Sequence, residues 1–207
     1  MSAIAISANV TGAGTMTIAA PNTASNFTLT LPTNTGTFIT TASTGQVIPK
    51  AALPTGSVLQ VVQTTIDTQQ SFTGATYTDV TGLSVSITPT STSSKILVRY
   101  RINGSTAGGT TYHAFQILRD AIAVGNGAQG TTRTKGHSAV RGQFSDSNPF
   151  WTTSGEFLDS PATVSATTYK IQTATNGTTY INRSPSNTDT ADMVSTLCSI
   201  IVLEIAA

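Results

Sequence analysis

The side chains that could do acid–base or nucleophilic chemistry are few in this chain and far apart. Its two histidines are His113 and His137, its one cysteine is Cys198, and its nine carboxylates are spread from Asp67 to Glu204. General acid–base catalysis needs a His or carboxylate held within hydrogen-bond reach of the proton it moves. His113 sits in the strand-like run TYHAFQ beside Tyr112 and Phe115 and reads as a packed or surface histidine, not a catalytic base. His137 follows Arg133 and Lys135 in a loop-like run and reads as solvated surface. Cys198, inside LCSIIVLEI, reads as a small buried hydrophobe. Ser154 in TTSGEF lacks the Gly-x-Ser-x-Gly arrangement that lifts a nucleophile onto a sharp turn. Asp146/Asp159 and Asp189/Asp192 lack the spacing of a calcium loop, and one Cys with two distant His is no zinc set. Only Glu156 and Asp159, acting across neighbouring chains, would offer the paired carboxylates of glycoside cleavage. The expectation is a non-enzyme without cofactor or metal.

Recognition chemistry is better supplied. The tract GQFSDSNPFWTTSGEF, residues 142–157, reads as loop-rich and gathers Phe150 and Trp151 with short polar groups, the mixture that sugar or protein recognition uses. The bland reading of Trp151 stands beside it, because the one Trp of a small domain commonly serves the core or an interface. A second tract, NGTTYINRSPSNTD, residues 176–189, presents Tyr180, Asn182 and Arg183 in a turn-rich excursion that reads as surface. These five residues are the candidate receptor contacts.

Charge is the outlier in composition. Asp, Glu, Lys and Arg make up 9% of the 207 residues, against about 25% in an ordinary soluble domain. With a formal net charge of +1 and dispersed Arg and Lys, the chain offers no phosphate-tracking surface for nucleic acid. No stretch approaches about 18 consecutive apolar residues, and MSAIAISANV lacks the basic start and long apolar core of a leader, so neither membrane insertion nor export by a signal peptide is expected.

The elements that must position the candidates follow from periodicity. Residues 1–42 form a Thr/Ala/Asn-rich arm whose apolar residues alternate thinly (Met16, Ile18; Phe27, Leu29, Leu31; Phe38), a strand pattern with too little bulk to order itself. Such an arm needs identical neighbours or a docking surface, so those six residues are the expected inter-protomer and attachment contacts. Residues 43–56, STGQVIPKAALPTG, form a connector broken by Gly45, Pro49, Pro54 and Gly56. From Ser57 to Ala207, short alternating runs predict an all-β domain, an antiparallel jelly-roll-like β-sandwich.

The first strand starts at Val58, and Leu83, Val85 and Ile87 mark one face of another. Ile96, Val98, Tyr100 and Ile102 share a face opposite Leu97, Arg99 and Arg101. Residues 111–120 lead through a hairpin toward Ala123 and Val124, and further strands are predicted over 138–144, 154–158, 168–173 and 178–182. The last strand, 196–205, is apolar on both faces, which predicts a central position in a sheet covered front and back. The equivalent sheet of another copy would be one such cover.

The segment GAGTMTIAAPNTASNFTLTLPTNTGTFITT resembles a module of tail fibres and other appendage proteins of marine and cyanobacterial tailed bacteriophages. Its elements are G-x-G-T-x-T from Gly12 to Thr17, A-P-N-T from Ala20 to Thr23, N-x-T-L-T-L-P from Asn26 to Pro32 and T-G-T-hydrophobic-hydrophobic-T over Thr35 to Thr40. Phe27 stands where that module often carries Arg. The resemblance continues over 54–65, 72–104, 115–120 and 199–207. It implies a virion protein whose C-terminal block is a β-sandwich head trimerising on an anchor. The expected function is a homotrimeric tail fibre, attached through its arm to other virion proteins and presenting its head to a host-surface glycan or protein. The alternatives are a capsid-decorating or head-fibre protein and, further off, a polysaccharide-cleaving spike.

Overall fold

The structure is a computed structural model, and it describes residues 53–207 apart from 108, 129, 145–147 and 192. The arm contacts Met16, Ile18, Phe27, Leu29, Leu31 and Phe38 lie outside the described residues, as do residues 43–52 of the connector and the carboxylates Asp146 and Asp192.

The described residues form eleven strands: β1 (Val58–Ile66), β2 (Gln70–Thr73), β3 (Thr78–Ile87), β4 (Lys95–Ser105), β5 (Gly109–Arg119), β6 (Ile122–Val124), β7 (Ser138–Phe144), β8 (Phe150–Asp159), β9 (Thr167–Thr175), β10 (Thr178–Ile181) and β11 (Cys198–Ile205). They pair into two antiparallel sheets that face each other, an all-β sandwich. Among the described residues no helix is long and apolar enough to cross a membrane.

The first sheet runs β1-β11-β4, with β8 along the whole far edge of β4 and β10, then β2, continuing beyond β11. The second runs β3-β9-β5, with β7 and then β6 on the far edge of β5. The alternation of β4 explains its place: Ile96, Val98, Tyr100 and Ile102 point into the sandwich, where they meet Phe115, Ile117, Tyr169 and Ile171 from the other sheet. Each such side chain contributes roughly 1.5–3 kcal/mol of transfer free energy. In β3, Val80 and Leu83 both reach the core although an odd spacing should put them on opposite faces. The register shifts between Asp79 and Ser84, and Gly82 takes φ +79° there, so a bulge returns Leu83 to the inside.

Two expectations are corrected here. Phe150 and Trp151 open a regular strand, because the tract around them pairs residue by residue with β4 from Ser105 to Ile96. His137 is not a solvated loop residue. Its Nδ1–H donates to the Gly125 carbonyl at 2.9 Å, and its ring sits edge-on to Tyr100 and Phe157, where Gly125 and Gly155 leave room for it.

The closing strand carries a buried carboxylate that periodicity conceals among its aliphatics. Glu204 faces inward and accepts hydrogen bonds of 2.7 Å from the Gln60 amide, the Thr90 backbone N–H and hydroxyl, and the Ser94 hydroxyl. Desolvation would raise its pKa, but these donors outweigh it and hold the carboxyl below its ordinary value. Glu204 therefore pins the β3–β4 connection onto β1 and β11.

Candidate functional site

The recognition candidates gather at one end of the first sheet, where β4 finishes. Ser105 is paired with Phe150 of β8 on one side and Tyr180 of β10 on the other. Residues directly opposite in a sheet share a face, so Phe150 and Tyr180 flank Ser105 on the outer face, roughly 10 Å apart. The excursion joining β10 to β11 begins over Ser105, whose hydroxyl donates to the Arg183 carbonyl at 2.5 Å.

Asn182 makes the chain leave the sheet. It follows β10 with φ +61°, a left-handed conformation that Asn tolerates better than most residues. Its backbone N–H donates to the Asn103 carbonyl at 3.1 Å, and its Nδ2 donates to the carbonyls of Ile66 at 2.9 Å and Thr68 at 3.3 Å. Its Oδ1 accepts from the Cys198 thiol at 3.1 Å and the Thr196 hydroxyl at 3.4 Å. One side chain thus ties the end of β1 to the start of β11, with every polar atom spent. Asn182 is buried, which removes it from the candidate receptor contacts. Cys198 is held the same way: burial pushes its thiol up to about 11, so it carries little thiolate at neutral pH.

Trp151 is corrected on the same ground. It alternates with Phe150, so its indole turns inward, stacks on His113 at 5.1 Å between ring centroids and lies 5.7 Å from Phe115. The strand can accept so large a ring because Gly104 faces it; a Cβ there would sit 2.5 Å from the indole. The indole Nε1 is buried without a hydrogen-bond partner among the described residues. Trp151 is a core side chain that backs the site.

Phe150, Tyr180 and Arg183 remain at the surface. Phe150 is 38% exposed and, with Val194 at 53%, walls a concavity of about 280 Å³ whose polar lining is Asn103, Thr152 and Thr196. The Asn103 amide is fixed by the Thr152 hydroxyl at 2.7 Å and the Leu197 carbonyl at 2.6 Å, so this lining is rigid. Val194 also borders a second concavity, about 230 Å³, lined by Arg183, Ser184, Asn187, Asp189 and Met193. The Arg183 guanidinium lies 4.5 Å from the centroid of the Tyr180 ring and donates to the Ser184 and Pro185 carbonyls. The two tracts that sequence separates meet where the Asn148 amide oxygen accepts the Ser186 hydroxyl at 2.7 Å.

Asn148 and Thr152 lie within the 142–157 tract, whereas Asn103 and Val194 lie outside both tracts that the sequence singles out. The available signal was the long run without alternation between Ile181 and Cys198, which must cross the sheet end between two neighbours of β4 and so covers what lies there.

The catalytic candidates do not converge. Glu156 and Asp159 lie three residues apart on β8 and therefore on opposite faces of the sheet. Glu156 is on the outer face, whereas Asp159 is buried and holds Arg119 at 2.9 Å and the Tyr169 hydroxyl at 2.7 Å. The two cannot flank one glycosidic bond from one chain, and Asp159 cannot reach a bond held by another. His113 is enclosed by Trp151 and the hydroxyls of Thr111 and Thr179. Among the described residues no group of His, Cys, Asp and Glu side chains could hold a metal ion. The concavity beside Phe150 can bind by stacking, shape and neutral hydrogen bonds. No protein-family model matches the chain, and no curated protein matches it.

Proposed function

We propose that the chain is a non-enzymatic structural protein of a tailed-bacteriophage virion, a homotrimeric tail fibre whose jelly-roll-like sandwich head meets the host surface. The observation that carries the recognition part is the end of the first sheet. Phe150 and Val194 are exposed there, with Tyr180 half-buried and the Thr152 and Thr196 hydroxyls beside them, on a frame made rigid by Asn103, Ser105 and Asn182. Flat apolar faces beside short neutral polar groups suit a sugar or a protein loop, and the scarcity of charge leaves little electrostatic steering. The virion assignment draws on the arm module, Gly12 to Thr40, and on the resemblance over 54–65, 72–104, 115–120 and 199–207.

Individually weak sites act together in this reading. Copies in a trimer, and fibres on a particle, turn each further contact into an intramolecular event and raise the overall affinity. The experiment has two arms: antibody labelling of intact particles, and competition of the purified full-length protein with particles for adsorption to host cells. Labelled tail appendages and a block of adsorption are expected. Label on the shell instead would make the protein a head fibre or decoration. Absence from particles would end the virion assignment.

A further inference from the structure

The two outer faces of the sandwich differ in kind. On the second sheet, outward side chains pair into a closed polar ladder: Ser86 with Thr168 at 2.8 Å, Lys170 and Gln172 with Asp79 at 2.7 and 2.6 Å, and Gln116 with Gln172 at 2.6 Å. That face is finished for water. The first sheet carries instead a row of aliphatic side chains in exact cross-strand register, Val61 of β1 opposite Leu203 of β11, Leu203 opposite Leu97 of β4, and Leu97 opposite Leu158 of β8. Val61 is 54% and Leu158 53% exposed. Ile201 and Ile205 extend the row along β11. Away from the end that the excursion after β10 covers, this row stands open at both its edges, although β11 is the central strand that periodicity marks as apolar on both sides.

The next rows carry charge. Gln63, Ile201, Arg99 and Glu156 lie in line, then Thr65, Ser199, Arg101 and Ser154. Arg99 and Glu156 make only a loose pair at 3.5 Å, with side chains 60% and 70% exposed. Among the described residues Arg101 makes no ion pair, and its cross-strand neighbours are both serines. Around these groups the face hollows into a concavity of about 570 Å³.

We propose that this outer face of the first sheet is where copies of the chain meet, the Val61–Leu203–Leu97–Leu158 row packing on the adjacent copy and Arg101 meeting the carboxylate of that copy's Glu156. Charge complementarity selects the occupant. The face bears a cation without an acid and an under-used carboxylate one row away on the neighbouring strand, so a symmetry-related copy supplies to each the group it lacks. An anionic polymer would confront Glu156 and leave the aliphatic row in water. The inference rests on the trimer reading above and gives it a surface: an aliphatic centre bordered by arginines, the composition of the core of an oligomer contact.

Labelling of the full-length chain tests it, because Cys198 is buried and leaves an introduced cysteine as the reactive one. Leu158→Cys is expected to react with a bulky maleimide about tenfold more slowly than Ser86→Cys on the polar face, since reaction must wait for copies to part. Arg101→Glu and Glu156→Arg are each expected to weaken assembly about tenfold in a sedimentation dilution series, and the double reversal to restore it. Equal labelling at both positions in an oligomeric protein overturns this face and leaves the trimer standing. A wild-type chain that is monomeric at every concentration overturns both. Failure of the double reversal to restore assembly overturns the Arg101–Glu156 contact.

Discussion

At the His113 ring, burial and function pull apart. The imidazole is wholly enclosed, with Nδ1 2.6 Å from the Thr179 hydroxyl and Nε2 3.1 Å from that of Thr111, and desolvation lowers its pKa from 6.5 to about 4. The unfolded chain takes up the proton near 6.5 and the folded chain only near 4. The stability this neutral ring contributes is thus fully present above pH 6.5 and lost as pH falls toward 4, by roughly 3 kcal/mol in all. Glu204, whose carboxyl is held below its ordinary 4.5, adds its own loss only below that value. Urea unfolding between pH 7 and 5 is therefore expected to show a falling stability that His113→Phe abolishes; an unchanged slope in that variant would refute the assignment. The strand pattern around Tyr112 and Phe115 leaves His113 packed or at the surface, and only the fold decides for packed. That pattern could not show that Trp151, distant in the chain, supplies the other side of the ring. The same blindness put Trp151 and Asn182 among the receptor candidates: both lie in tracts of suitable composition, and only the pairing with β4 shows which way each points. Phe150→Ala and Tyr180→Ala, on exposed or half-exposed rings, are expected to shift stability by less than about 1 kcal/mol while weakening competition for host cells; full competition by both variants would move the contact elsewhere.

Among the elements, β4 and β11 were legible and β2 was not. β4 keeps strict alternation from Ile96 to Ile102, because it has the core on one side throughout. β11 is apolar on both faces and proves central, between β1 and β4. It begins at Cys198, so Leu197, counted into the strand by its side chain, lies outside it and is exposed. β2 has four residues, too few for a periodic signal. For β8, periodicity marks residues 154–158 as strand but leaves Phe150 and Trp151 in a loop, because Pro149 and the polar residues before it mimic a longer loop. The meeting of β4, β8 and β10 yields a sharp expectation. A Cβ at Gly104 would stand 2.5 Å from the Trp151 ring and 2.7 Å from the Tyr180 carbonyl oxygen, so ring and backbone would both have to move. Gly104→Ala is expected to cost about 2–3 kcal/mol in chemical denaturation. A cost below about 0.5 kcal/mol, within the range of ordinary surface substitutions, would show that this end of the sheet is looser than its packing implies.

The sandwich is closed by β11. β11 pairs with β1 on one edge and with β4 on the other, and it places Cys198, Ile200, Val202 and Glu204 into the sandwich. Without it, β1 loses its sheet partner, and the buried ends of Gln60, Thr90 and Ser94 lose the carboxylate they donate to. The strands that β11 joins are far apart in sequence, so the ordering cost of the chain falls before this pairing can offset it. Removing residues 198–207 is therefore expected to leave a chain that does not unfold cooperatively and binds a hydrophobic dye, not a sandwich with one strand fewer. Point substitutions on the outer face of the same strand are expected to behave otherwise. Leu203→Ser takes an aliphatic group from a half-exposed row and leaves the inner face untouched, so the sandwich should persist with its cooperative transition while assembly weakens. The comparison separates the two faces of β11 by two readouts, cooperativity for the inner and mass for the outer. If Leu203→Ser abolished the transition as the truncation does, the outer face would belong to the fold of the single chain, and the aliphatic row would no longer argue for a neighbour.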